Sequence, residues 1–344
     1  LGTSADNKGC KKPIGTVSRV LGVIGCAALS LPATWIGFLA VFVIAKIGYN
    51  ASLIFYDSML PDVTSTDRMD MVSSHCYAWG YLGSCIPFVL SLVLVLFYEN
   101  IGITITMAMA IAFLINAAWW FLVTIPLLKN YEQKHHVEHH EDIIKTSFQR
   151  LGHSLSEIKN NKGILLFLLA FFFYIDGVYT IIDMATAYGS VLGLNTEGLL
   201  LALLVTQIVA FPASLYFSYL SKKVNTGKLV KICIVAYTLI SVFAIGLDTQ
   251  WEFWVLAVFV GMFQGGVQAL SRSYFAKIIP AEKSGEYFGL YDICGKGASF
   301  LGTFLVGVFA QITGQANGGI FILTVMFIIG FFLFTKADHI NQKK

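Results

Sequence analysis

The chain has 344 residues, of which 56% are hydrophobic, 14% aromatic and only 12% charged, a balance outside that of a soluble globular protein. Its formal net charge of +3 is too small to call for a nucleic-acid partner. The apolar residues gather in runs of roughly 20, the length with which an α-helix crosses a hydrocarbon core about 30 Å thick, so an all-α membrane protein is expected.

Ten runs are predicted to span the bilayer: 17–31, 34–56, 76–98, 102–128, 163–188, 197–220, 228–247, 252–275, 287–312 and 318–335. Pro87, Pro126 and Pro212 fall inside them; such prolines are tolerated where neighbouring helices satisfy the freed carbonyls. Loops rich in Lys and Arg stay on the cytoplasmic side. Lys8, Lys11 and Lys12 precede the first run, Arg68 follows the second, and Lys129, Lys134, Lys145, Arg150, Lys159 and Lys162 lie between the fourth and fifth. Lys222, Lys223 and Lys228 follow the sixth run, Lys277 and Lys283 the eighth, and Lys336, Lys343 and Lys344 the tenth. The intervening loops, around Pro32, Asn100, Gly193, Thr249 and Gln315, carry neither residue. Both ends are therefore expected in the cytoplasm.

The polar stretch 129–162 divides the chain into a four-run bundle, 1–128, and a six-run bundle, 163–344. Within it His135, His136, His139 and His140 form HHVEHH, spaced for a transition metal on a helix; a solvated loop is the preferred reading, with no metal and no cofactor. Cys10, Cys26, Cys76, Cys85, Cys233 and Cys294 are scattered and read as small packing residues.

The stretch FYDSMLPDVTSTDRMDMVSSHCYAWGYLGS after the second run parallels SRSYFAKIIPAEKSGEYFGLYDICGKGASFLG after the eighth. Parallel repeats are the internal symmetry of two transporter bundles. If the eighth run matches the second, the front bundle lacks its first two helices, and such a chain is predicted not to transport by itself. Before the first run, LGTSADNKGCKKPIG places Gly2, Asp6, Gly9, Lys11 and Lys12 in a pattern that resembles the G-x-x-x-D-x-x-G-x-K/R loop signature of major facilitator transporters. Glycines permit a tight loop, the Asp caps a helix N-terminus or pairs with a cation, and the lysines hold the loop at an anionic membrane face. The matching loop of the second half, SYLSKKVNTGK, has Ser218 and Lys222 where the signature's first Gly and Asp would stand.

Longer segments, YDSMLPDV, YAWGYLGS, FYIDGVYTIIDMATAYG, VAFPASLYF, GMFQGGVQALSRSYFAKIIP and GEYFGLYDICGKGASFLG, extend the likeness over almost the whole chain. They resemble the vacuole-effluxer-like branch of the major facilitator superfamily, permeases related to the autophagy-linked vacuolar amino-acid exporter. The resemblance implies a two-bundle fold with ten of its usual twelve helices present, and efflux of neutral amino acids. It also implies a multi-pass protein of the cell membrane in a prokaryote, or of the vacuolar membrane in a fungus.

Ionisable groups inside apolar runs cost about 2.5–3.5 kcal/mol each at a helix centre on insertion scales and are functional candidates by default. Lys46 lies in the second run, Asp176 in the fifth with Asp183 two turns further, and Asp292 and Lys296 lie at i, i+4 on the ninth. Asp176 is the first choice for a proton-coupling carboxylate; Lys46 and Lys296 are candidates to bind a substrate carboxylate or to balance Asp176. The Asp292–Lys296 pair has the alternative of a purely structural link, and Asp183 that of a solvated mouth residue. Gln207, Gln264 and Gln268 add hydrogen-bonding groups, as cavity lining or as interhelical links. Arg272, at the end of the eighth run, is expected to anchor the inner gate through an acidic residue such as Glu286.

No P-loop, G-x-S-x-G, H-E-x-x-H or dinucleotide fingerprint occurs in the sequence, so no enzyme motif is present. The reading is a monomeric secondary transporter of a small solute, working by alternating access with proton coupling. A non-transporting receptor or scaffold on the same fold, or a membrane-embedded enzyme, stays open as an alternative.

Overall fold

The computed structural model describes residues 2–32, 34–137 and 143–343, apart from the side chains of 143–151, 298, 299 and 316. Its long helices, in chain order, are α1 (Lys11–Ala28), α2 (Trp35–Ser58), α3 (Met69–Leu96), α4 (Ile105–Asn130), α5 (Ile143–Asn160) and α6 (Lys162–Val191). They continue with α7 (Thr196–Leu220), α8 (Thr226–Ile245), α9 (Gln250–Ile278), α10 (Ser284–Thr313) and α11 (Ala316–Asn341).

Among the described residues nine helices are long and apolar enough to cross a membrane, against ten predicted runs. The difference is α1, whose 18 residues include Lys11, Lys12 and Arg19. Several helices outrun their apolar cores. The third predicted run opens at 76, but α3 opens at Met69, because Asp70, Ser73 and Ser74 are buried in protein contacts that a hydropathy pattern cannot register. Polar caps fix other starts: Thr34 accepts from Gly37 N, Thr104 from Met107 N, and Thr249 with Glu252 forms a capping box on α9, each satisfying orphan N–H groups of a first turn. Pro87, Pro126 and Pro212 lie within α3, α4 and α7.

The chain divides into two compact units. The first comprises Leu1–Ser65, Gly83–Gly152 and Pro280–Gly289, the second Thr66–Leu82, His153–Ile279 and Leu290–Lys344. Each unit thus takes in the opening turns of a helix whose remainder belongs to the other: α3 begins in the second unit and α10 in the first. In the first unit α1 packs on α2 and α4. In the second, α6 packs on α11, α7 on α9, and α8 on both α9 and α11. The second unit's interior is rich in aromatic contacts, with the Phe171 and Tyr291 ring centroids 4.0 Å apart and Phe167 stacked on Tyr274 and Phe275 at 5.3 and 5.4 Å. Leu199, Ile240, Leu247, Phe253, Leu256 and Val260 belong to a hydrophobic cluster in that unit.

Candidate functional site

In the first unit the signature loop folds into a buried polar knot. Gly9 takes the left-handed conformation, φ 72°, which a side chain would strain, and so turns the loop toward Lys11. Asp6 is wholly buried; its Oδ1 accepts from Gly285 N at 2.7 Å and its Oδ2 from Glu286 N at 2.8 Å. A carboxylate thus closes the N-terminus of α10, where the helix dipole favours negative charge. Lys11, also wholly buried, donates from Nζ to Asp62 Oδ2 and Ser284 Oγ, both at 3.0 Å, and to Ser58 O at 3.3 Å. Lys12 Nζ reaches Tyr131 O at 3.4 Å.

Asp62 is the hub of this knot. Besides Lys11 it accepts from Tyr131 Oη at 2.5 Å and from His135 N at 2.8 Å, with His135 Nδ1 3.1 Å away. Burial by itself raises the Asp62 pKa, but Lys11, the Tyr131 hydroxyl and the His135 N–H together hold it below the ordinary carboxylate range. The residues after α4 complete the knot as an extended strap. Gln133 Nε2 donates to Ala5 O and Asn7 O, both at 3.2 Å, and Val137 N donates to Asp6 O at 2.8 Å.

In the second unit Asp176 stands midway along the 30 residues of α6 and has no solvent exposure. Its Oδ1 accepts from Gly302 N at 3.1 Å and Thr180 Oγ1 at 3.3 Å, while Oδ2 has no partner among the described residues. Any side chain at 302 would collide with Asp176 Oδ1 and Thr180 Oγ1, so this approach of α10 to α6 requires glycine. No Lys, Arg or His pairs with Asp176 among the described residues. Asp292 and Lys296, by contrast, form an i, i+4 ion pair at 2.5 Å with both side chains partly exposed. Asp183 is exposed. Lys46 belongs to the first unit, is exposed, and lies over the Tyr49 ring at 5.6 Å.

The glutamines separate. Gln207 and Gln264 line a pocket of ≈ 50 Å³ in the second unit, with Thr206, Ile181, Phe253 and Val260 among its walls; Gln268 is not among the residues that line it. Room of that size accommodates a few water molecules. Gln207 Oε1 and Gln264 Oε1 are buried without a hydrogen-bond partner among the described residues. Tyr174 Oη and Ser271 Oγ share a hydrogen bond of 2.7 Å.

Arg272 is 2% exposed, donates from Nε to Ser73 Oγ at 2.9 Å and from Nη2 to Ser73 O at 3.2 Å, and stacks over the Tyr77 ring at 4.9 Å. It therefore holds the opening turns of α3 against α9. Nearby Asp70 Oδ2 accepts from Lys277 Nζ at 2.5 Å and Thr226 Oγ1 at 2.6 Å. Lys223 of the degenerate second loop lies instead over the Tyr219 ring.

In the histidine stretch His135 faces Asp62, whereas His139 and His140 lie outside the described residues. No group of three His, Cys, Asp or Glu side chains suited to a metal occurs among the described residues. Sequence reasoning missed Asp62, Tyr131, Ser284 and Arg19. Arg19 carried a signal, a guanidinium two residues inside the first predicted run and seven after Lys12.

The model of the "Vacuole effluxer Atg22 like" family matches residues 1–344. The chain belongs to this family. It is 42% identical over 334 residues to the uncharacterized MFS-type transporter YxiO of Bacillus subtilis, across 96% of this chain and 78% of that one. It is 24% identical to autophagy-related protein 22 of Kluyveromyces lactis, across 94% of this chain and 66% of that one. Among solved structures it resembles the Escherichia coli fucose:proton symporter FucP, with a TM-score of 0.72 and 15% identity over 95% of this chain and 84% of that one. The proton:xylose symporter XylE gives 0.70 and 13% over 98% and 82%. The Atg22-like chain is therefore an all-helical, multi-pass membrane transporter with the major facilitator fold, and not an enzyme.

Proposed function

We infer that this Atg22-like protein is a secondary active transporter that moves a small solute by alternating access, with proton coupling through Asp176. The observation that carries the reading is the Asp176 carboxylate, buried midway along α6 with one oxygen unpartnered and no cation beside it among the described residues. A buried carboxylate without a counter-charge is unfavourable when ionised. Binding a proton removes the charge, and exposure to water on either side of the membrane lets the proton leave. Such a group can make proton movement conditional on the conformational change that moves the solute. FucP and XylE are proton symporters by name, so the fold they share with this chain is compatible with that coupling.

Neutral amino acids are the first solutes to test, with efflux as the direction, because autophagy-linked relatives of this family are associated with them. The Gln207 and Gln264 pocket supplies acceptor groups for such a solute's polar head. The alternation of loops with and without Lys and Arg supports both chain ends in the cytoplasm. On that side the Asp6 grip on α10 is read as an inner gate that must release once per cycle.

The test is flux of a panel of neutral amino acids in proteoliposomes containing the full-length protein, with and without an imposed pH gradient. Gradient-dependent flux of one or more of them is the expected result. Correctly folded protein that moves none of them retires the amino-acid reading and leaves only a transporter of another solute.

A further inference from the structure

Arg19 is 5% exposed, halfway along α1 and about 12 Å from its Lys11 end at 1.5 Å per residue. Guanidinium does not lose its proton in proteins, so a buried arginine calls for a neutralising carboxylate and for acceptors on its N–H groups. Arg19 has neither among the described residues. Its one hydrogen bond there is a long contact from Nη2 to Met59 Sδ, 3.9 Å, and Nη1 is buried with no partner. The nearby knot does not supply the missing charge. Asp62 has Oδ2 taken by Lys11 and Tyr131 and Oδ1 by His135; Asp6 has both oxygens on the N-terminus of α10. Nη2 lies against the Met59 thioether and Nη1 beside the packing of Gly15 on Phe55, with the phenols of Tyr56 and Tyr131 near enough to act on the charge. The Tyr131 hydroxyl is already given to Asp62.

A permanent cation held by packing, with no anion beside it among the described residues, is suited to take one from a ligand. We propose that Arg19 is the anion-binding residue of this transporter and receives the carboxylate of the transported solute. The planar guanidinium offers two parallel N–H donors that match a carboxylate, and a point charge such as Lys would not orient it. The inference rests on the transport reading for the solute's access to this buried position. It adds to that reading the requirement that the solute carry a carboxylate.

Thermal unfolding of the full-length protein in lipid nanodiscs tests this without any flux measurement. The ligands are sodium acetate, L-leucine, leucinamide and, at matched ionic strength, sodium chloride. Acetate and leucine are expected to raise the wild-type melting temperature, and leucinamide and chloride to leave it unchanged. Arg19→Met removes an unpaired buried charge, so the ligand-free variant should melt at or above the wild type and lose the carboxylate-induced rise. Arg19→Lys, which keeps the charge without the fork, should bind carboxylate at least about tenfold more weakly. A ligand-free Arg19→Met that melts below the wild type or fails to fold means that a carboxylate of the protein itself holds the guanidinium, and overturns the proposal. So does an equal response to chloride, or no response to any carboxylate. Absent flux with an intact carboxylate response would retire the transport reading while leaving the anion site standing.

Discussion

Two buried carboxylates, Asp62 in the first unit and Asp176 in the second, are almost equally hidden from solvent and are served in opposite ways. Asp62 has a lysine, a phenol and a backbone N–H on its two oxygens. Asp176 has one oxygen with two neutral donors and one with none among the described residues. Burial alone therefore does not mark a working charge. A charge whose partners all come from the fold is costly to strip of them, whereas one left short of partners is available to a ligand or a proton.

The largest effect is expected at Asp176. Asp176→Asn keeps the shape and the Oδ1 acceptor, so the protein should fold with little change in melting temperature while gradient-driven flux falls by about 100-fold or more, within the range of essential proton-transfer groups. The same conservative change at Asp62 should do the reverse. Asp62→Asn or Lys11→Met leaves a wholly buried partner unpaired, at a cost of about 3–5 kcal/mol, read as a large drop in the melting temperature of the purified protein. An Asp62→Asn variant as stable as the wild type would remove the structural half of the contrast.

Acidification sharpens the same point. Because the Asp62 pKa is lowered in the folded protein, its contribution to stability is fully present above the unfolded value near pH 4. It is lost as the pH falls through the folded value. Melting temperature measured down to about pH 3 should show this acid limb in the wild type and a shallower one in Asp62→Asn.

A smaller effect is expected where charge only caps a helix. Asp6→Asn keeps one acceptor on the N-terminus of α10 but loses the charge, worth about 1 kcal/mol, measurable as a small drop in melting temperature.

The helical membrane fold was legible because hydrophobic run length maps directly onto span length, and Asp176 was legible as a carboxylate where hydropathy forbids one. The signature glycines, Asp6 and Lys11 were legible from spacing. Their partners were not, since Asp62 lies 51 residues from Lys11 and Ser284 lies 273, and no local pattern encodes such pairings. His135 is read from its neighbours in sequence as part of a solvated loop, while its neighbour in space is the buried Asp62. Gln207 and Gln264 meet at one pocket because α7 packs on α9, whereas Gln268, one turn beyond Gln264, does not line it.

Proton coupling through Asp176 is probed by comparing two modes of transport by Asp176→Asn in proteoliposomes containing the full-length protein. Solute–solute counterflow needs alternating access but no net proton movement; pH-gradient-driven accumulation needs both. Asp176→Asn is expected to retain counterflow and lose accumulation. Accumulation at the wild-type level in that variant would show that Asp176 carries no coupling proton.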